Sequence, residues 1–165
     1  MRIGRLLNHL LMPRQRVRRV FPKPALEAIG AAVGEAERQH SGELRFVVEG
    51  AMPLASLWRD ETPRQRAVEV FARLRVWDTA RNNGVLIYVQ LADRRVEVLA
   101  DRGIAARVAQ AEWDGICRGM EAAFKVGDFR RGALEAVEAA GNLLGRHFPA
   151  ERKTANDLPD APVVL

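Results

Sequence analysis

Apolar positions fall mainly into helical stretches, with three strand-like blocks between them. Ile3, Leu6, Leu7, Leu10 and Leu11 share one side of a helix over 3–12, beside Arg2, Arg5, Asn8 and His9, and Pro13 ends it. Arg14 to Arg19 reads as a basic connector. A second helix opens at Pro24, where a missing N–H costs nothing. It buries Leu26, Ile29, Ala32, Val33 and Ala36 and stops at Ser41-Gly42. Residues 43–49 then alternate, with Leu44, Phe46 and Val48 on one face and Arg45, Val47 and Glu49 on the other, which predicts a strand. Residues 50–61, with Pro53 and Trp58, read as irregular. Thr62-Pro63 caps a helix to about Leu74, with Ala67, Val68, Val70, Phe71 and Leu74 as its apolar positions.

The stretch from Trp77 to Gly84 is rich in turn formers. Residues 85–90 are apolar on both faces, as in a central strand. Residues 91–94 allow only a hairpin, so 95–100 returns antiparallel. The helix between the first two strands is long enough for a parallel, right-handed crossover. One or two helical turns are predicted over 104–109. A further helix turns Trp113, Ile116, Cys117, Met120 and Phe124 inward. Gly127-Asp128 ends it and caps a last helix, running to about Phe148, that buries Phe129, Ala133, Ala136, Val137, Ala140 and Leu144. The chain thus divides into a basic amphipathic helix and connector (1–23), an α/β domain (24–149) and an extended tail (150–165).

A chain of 165 residues suits one domain that needs no disulfide or metal to hold its core. Cys117 is the single cysteine, which fits a reducing compartment. The net charge of +5 is unevenly placed: Arg2, Arg5, Arg14, Arg16, Arg18, Arg19 and Lys23 all precede the first acid, Glu27. Basicity therefore belongs to the N-terminus, not to the domain. The apolar run after Arg5 is broken by Asn8 and His9, unlike a secretory signal, and no stretch approaches the roughly 20 apolar residues of a membrane span. A cytoplasmic protein is expected.

Five segments in order carry a family resemblance. His40-Ser41-Gly42-Glu43-Leu44-Arg45-Phe46 resembles "TG-x-E-I", Asn83-Gly84-Val85-Leu86-Ile87-Tyr88-Val89 resembles "NGVLLLV", and Asp93-Arg94-Arg95-Val96-Glu97-Val98 resembles "DRRVRIE". Asp101-Arg102-Gly103-Ile104 occupies a "GxGLE" position, and Phe124-Lys125-Val126-Gly127-Asp128-Phe129 with Gly132 resembles "FRAGDYxxG". Together they resemble the TPM domain, the phosphatase-like domain of thylakoid lumen and photosystem II repair proteins, in its short bacterial cytoplasmic branch. The resemblance implies a three-layer α/β/α sandwich around a small mixed sheet. It also implies two activities proposed for relatives, acid phosphatase activity and divalent cation binding. Asp101 stands where longer members carry glycine, and Ala105 where they carry glutamate.

Strand direction brings Ser41, Glu43, Asp78, Thr79, Asn82, Asn83, Asp101 and the turn at Gly103 to one end of the sheet, with Glu49 and Asp93 at the other. Glu43, Asp78, Asn83 and Asp101 are hard oxygen donors of the kind that hold calcium or magnesium. Backbone N–H groups after Gly103 offer an anchor for phosphate. The same residues also serve as turn formers and caps, Asp78 in an Asx turn and Asp101 on the following helix. The leading reading is a divalent-cation-binding or interaction module. The alternatives are a metal-assisted phosphatase acting on phosphomonoesters and a membrane-peripheral scaffold.

No Ser-His-Asp set, Walker A loop or dinucleotide fingerprint is present, so no organic cofactor is expected. Residues 1–20 suit folding back or docking a protein partner first, an anionic membrane surface second and nucleic acid last. Asp93-Arg94-Arg95 reads as a charged hairpin turn, Cys117 as inert core, and His9 and His147 as surface residues. Trp58, Trp77 and Trp113 read as core or rim aromatics.

Overall fold

The computed structural model describes residues 3–150 and 156–165. Arg2 and positions 151–155 of the tail lie outside them. The sheet forms from β1 (Glu43–Glu49), β2 (Gly84–Gln90), β3 (Arg95–Ala100) and a short β4 (Val163–Val164), in the order β3-β2-β1-β4. β1 and β2 are parallel, and β3 returns antiparallel with Val85 opposite Ala100. β2 is buried along its whole length, as its two-faced apolar pattern requires.

Two helical layers cover the sheet. On one face, α3 (Lys23–Ala36), α7 (Gln110–Lys125) and α8 (Phe129–His147) pack over Leu44, Phe46, Val48, Val85, Ile87 and Val89. On the other, α5 (Pro63–Arg73) covers Val47, Leu86 and Tyr88 through Ala67 and Val70. This is the three-layer α/β/α arrangement. α5 starts on a capping box: the Gln65 N–H donates to Thr62 Oγ1 at 3.2 Å, and the Thr62 N–H donates to Gln65 Oε1 at 2.8 Å. A short α6 (Arg102–Ala105) follows β3.

Several expectations are corrected. Residues 14–19 are not a connector: α1 (Ile3–Leu10) is followed by α2 (Arg14–Val20), which buries Val17 and delivers Phe21 into the main core. Phe21 meets Phe46, Phe124 and Phe129 edge-on, with centroids 5.9–6.3 Å apart. Residues 50–61 contain α4 (Leu54–Trp58). Val68 is exposed on α5, not buried. Asp128 makes no side-chain cap on α8; its carboxylate instead accepts from Arg131 at 2.6 Å. The tail supplies β4, whose parallel pairing with β1 places Val163 beside Val47. Leu158 is buried under the α5 layer, and the Leu165 N–H donates to Val48 O at 2.9 Å.

His9 is the largest correction. It is buried, because α1 folds back on the domain through its polar side. Arg5 donates to both carboxylate oxygens of Asp93 at 2.9 and 2.8 Å. The Met52 N–H donates to His9 Nδ1 at 3.0 Å. Accepting at Nδ1 leaves the ring hydrogen on Nε2, which lies 3.1 Å from Asp93 Oδ1. Burial raises the pKa of Asp93, but the hydrogen bonds from His9 and Arg5 and the Arg5 charge outweigh it and lower it to about 2. A lowered carboxylate pKa stabilises the fold above the ordinary range, and this contribution is lost as pH falls from 3.8 toward about 2. Asp93→Ala is expected to cost about 1–2 kcal/mol, reduced by solvent screening of a half-buried pair. In that variant the nuclear Overhauser contacts between His9 and Met52 are expected to vanish while the sheet's remain. Their persistence would show that Asp93 does not hold α1.

Candidate cation site

The start of β1, the start of β2 and the end of β3 meet at one sheet end. Glu43 stands opposite Gly84, and the Asp101 N–H donates to Gly84 O at 2.8 Å. Glu43, Gly84 and Asp101 thus lie side by side across three strands, and the Glu43 N–H donates to Asn83 O at 3.0 Å. The loop before β2 is fixed from within. The Asn83 N–H donates to Thr79 Oγ1 at 3.0 Å, and Asn82 takes a left-handed φ of 52°. Arg102 donates to Asn82 Oδ1 from Nε at 3.1 Å and from Nη2 at 2.9 Å.

The four predicted donors differ in their engagement. The buried Glu43 carboxylate accepts from the Leu158 N–H at 3.3 Å. Asn83 is buried and donates through Nδ2 to Ser41 O, which leaves its Oδ1 buried with no hydrogen-bond partner. Asp101 caps α6 with Oδ1, 2.7 Å from the Arg102 nitrogen, while its Oδ2 is buried and also unpartnered. Asp78 is exposed, and its carboxylate is turned to Arg75 of its own turn. Topology therefore brings Glu43, Asn83 and Asp101 to one sheet end, with Asp78 on its rim. Among the described residues no three His, Cys, Asp or Glu side chains form a metal-ligand group.

The expected phosphate anchor is corrected. α6 has only four residues, and its first N–H groups are already used. Those of Arg102, Gly103 and Ile104 donate to Asp101 Oδ1, Asn82 O and Asp101 O. Cys117 is buried in the main core, and burial first, then the Glu97 charge, pushes its thiol up to about 12. It is no nucleophile at neutral pH.

Three polar features escaped the sequence reading. Glu37 and His40 are buried beside the start of β1, where Glu37 Oε1 accepts the Leu44 N–H at 2.7 Å and His40 Nδ1 accepts the Gly42 N–H at 3.2 Å. At the opposite end of the sheet, Arg66 of α5 donates to both oxygens of Glu49 at 2.6 and 3.0 Å. The Tyr88 hydroxyl donates to the same carboxylate, and all three side chains are buried. The signal for the last was present: an arginine on the buried stripe of α5 and a glutamate on the covered face of β1 require each other.

A mixed four-stranded sheet between two helical layers, with polar side chains gathered at the starts of its parallel strands, defines an α/β sandwich. Residues 18–143 match the TPM domain, and the chain belongs to that family. Among solved structures it is similar to the BA42 protein of the psychrophilic bacterium Bizionia argentinensis, at 30% identity and a TM-score of 0.75 over 86% of this chain and 93% of that one. The N-terminal domain of a P. gingivalis protein shares the fold at 17% identity and a TM-score of 0.62, over 79% of this chain and 82% of that one. No curated protein matches the sequence.

Proposed function

We propose that the chain is a divalent-cation-binding TPM domain, with the ion held at the start of β2 by Asn83 and Asp101, Glu43 flanking and Asp78 at the rim. The supporting observation is the pair of buried, unpartnered oxygens, Asn83 Oδ1 and Asp101 Oδ2, at one sheet end. A buried acceptor without a donor costs free energy that a cation offsets. The donors are hard oxygens, which suit calcium or magnesium. Magnesium in particular keeps several of its waters and takes only one or two carboxylates, so a site with few acids fits it. The occupied N–H groups of α6 favour a binding module over a phosphatase. The single, buried cysteine suits a reducing compartment, and we place the module in the cytoplasm.

Titration with magnesium or calcium, followed by amide chemical shifts, tests this reading. Shifts are expected to cluster at 82–84 and 101–103. Asp101→Asn keeps the shape and removes the charge, and is expected to weaken binding by about tenfold or more, since losing even an outer-shell partner costs that much. Shifts scattered over the surface at millimolar metal, unchanged in Asp101→Asn, would remove the site.

A further inference from the structure

α1 docks with its polar side inward. His9 is 3% exposed, while Ile3, Leu7, Leu10 and Leu11 are 71%, 49%, 56% and 76% exposed. Arg5 and His9 are one helical turn apart and make the contacts to Asp93 and Met52, so the apolar stripe of the helix faces solvent. Water is a poor environment for four leucine-class side chains within about two and a half turns, and a stripe of this kind marks an interaction surface. The segment beside α1 adds exposed apolar surface: Arg5 reaches Met52 Sδ and, at 3.8 Å, Asp60, which bracket α4, and α4 exposes Leu54 and Trp58. The chain immediately after α1 supplies charge of one sign. Arg16, Arg18 and Arg19 are exposed, and no acid precedes Glu27.

From this arrangement we infer that α1 is an in-plane membrane anchor: its apolar stripe enters the interface of an anionic lipid surface, Trp58 sits at headgroup level, and α2 supplies the cations. An interfacial helix needs such an apolar stripe with basic residues beside it. Aromatic rings with a polar edge favour the interface, and each arginine near an anionic leaflet adds attraction. A second copy of the chain is the poorer occupant. A two-fold contact sets the same patch against itself, which would bring the Arg16, Arg18 and Arg19 clusters of both copies together. α1 lies outside the residues matched to the family, and the anchor does not depend on the cation site.

Co-sedimentation of the full chain with vesicles, in EDTA, tests the inference. Vesicles of phosphatidylcholine with about 30% phosphatidylglycerol are expected to bind it, pure phosphatidylcholine much less, and about 0.5 M salt to release much of it. Leu7→Asp with Leu11→Asp is expected to lower partitioning at least about tenfold. Arg18→Glu with Arg19→Glu should lower it about fivefold per lost cation. All four side chains are exposed, so an unchanged thermal midpoint verifies that the variants fold. No binding to the anionic vesicles, or equal binding by the leucine variant, overturns the inference. So does a dimer in sedimentation velocity that the leucine variant abolishes while lipid binding is absent.

Discussion

Replacing Arg66 with Met is expected to destabilise the fold by about 3–5 kcal/mol, because it strands a buried carboxylate. Arg66 and Glu49 are each 2–3% exposed, and their two parallel hydrogen bonds of 2.6 and 3.0 Å are joined by the Tyr88 hydroxyl on the same carboxylate. In the variant only Tyr88 remains to satisfy Glu49. At about 2–4 °C per kcal/mol for a domain of this size, the midpoint should fall by about 10 °C. Adding Glu49→Leu to Arg66→Met removes the stranded charge and is expected to recover most of the loss, as replaced buried ion pairs often do. Urea unfolding with a fitted slope separates this from a change in the denatured state. A loss below about 1 kcal/mol in the single variant would show that water reaches Glu49 and that the network contributes little.

The same pair bears on the cation site at the far end of the sheet. Arg66 pins α5 to β1, and the chain leaving α5 reaches Val76, whose N–H donates to Phe71 O at 3.0 Å and whose carbonyl lies over Gly84. Loosening α5 should therefore loosen the loop that presents Asn83. Arg66→Met is expected to weaken magnesium-induced shifts at 82–84 in the folded fraction, although Arg66 touches none of the proposed ligands.

Sequence periodicity disclosed the sheet and its two covering layers because the signals were strong. β1 alternates, β2 is apolar on both faces, and β3 was read at its observed bounds, Arg95–Ala100. What it missed shares one cause: short elements whose partners are distant in sequence. β4 has two residues, too few to show any period, and only pairing with β1 makes it a strand. In α2 the spacing of Val17, Val20 and Phe21 is helical, but four arginines in six positions hide it, and burial against Phe124 and Phe129 decides. His9 carries no mark of burial in the sequence; it is drawn in by Asp93, more than eighty residues away. The candidate site was legible as a place. Strand direction assigned Glu43, Asn83 and Asp101 to one end. The state of each oxygen was not legible, since it depends on whether Leu158, Ser41 and the Arg102 amide reach it.

Gly84→Ala and Gly119→Ala, chemically the same change, are expected to move stability in opposite directions. A Cβ built on Gly84 would sit 2.0 Å from the Val76 carbonyl oxygen and 3.0 Å from its carbon. That neighbour is backbone, held by its own hydrogen bond to Phe71, so relief requires shifting β2 or the end of α5. Overpacking commonly costs 1–3 kcal/mol, and here, against fixed backbone in the central strand, about 3 kcal/mol or more is expected. The Asn-Gly-Val motif thus records a packing constraint: the glycine lets the connection from α5 pass over the start of β2. Gly119 lies in the middle of α7 with no heavy atom within 4 Å of its added Cβ. There alanine should stabilise by about 0.5–1 kcal/mol, through reduced backbone freedom of the unfolded chain. Urea midpoints of the two variants against wild type decide the matter. A neutral Gly84→Ala would mean that the loop before β2 yields easily, and the fixed placement of Asn83 would fall with it. If Gly119→Ala destabilised as much, an added methyl would be costly even where space is open, and the loss at Gly84 would no longer report the contact with Val76.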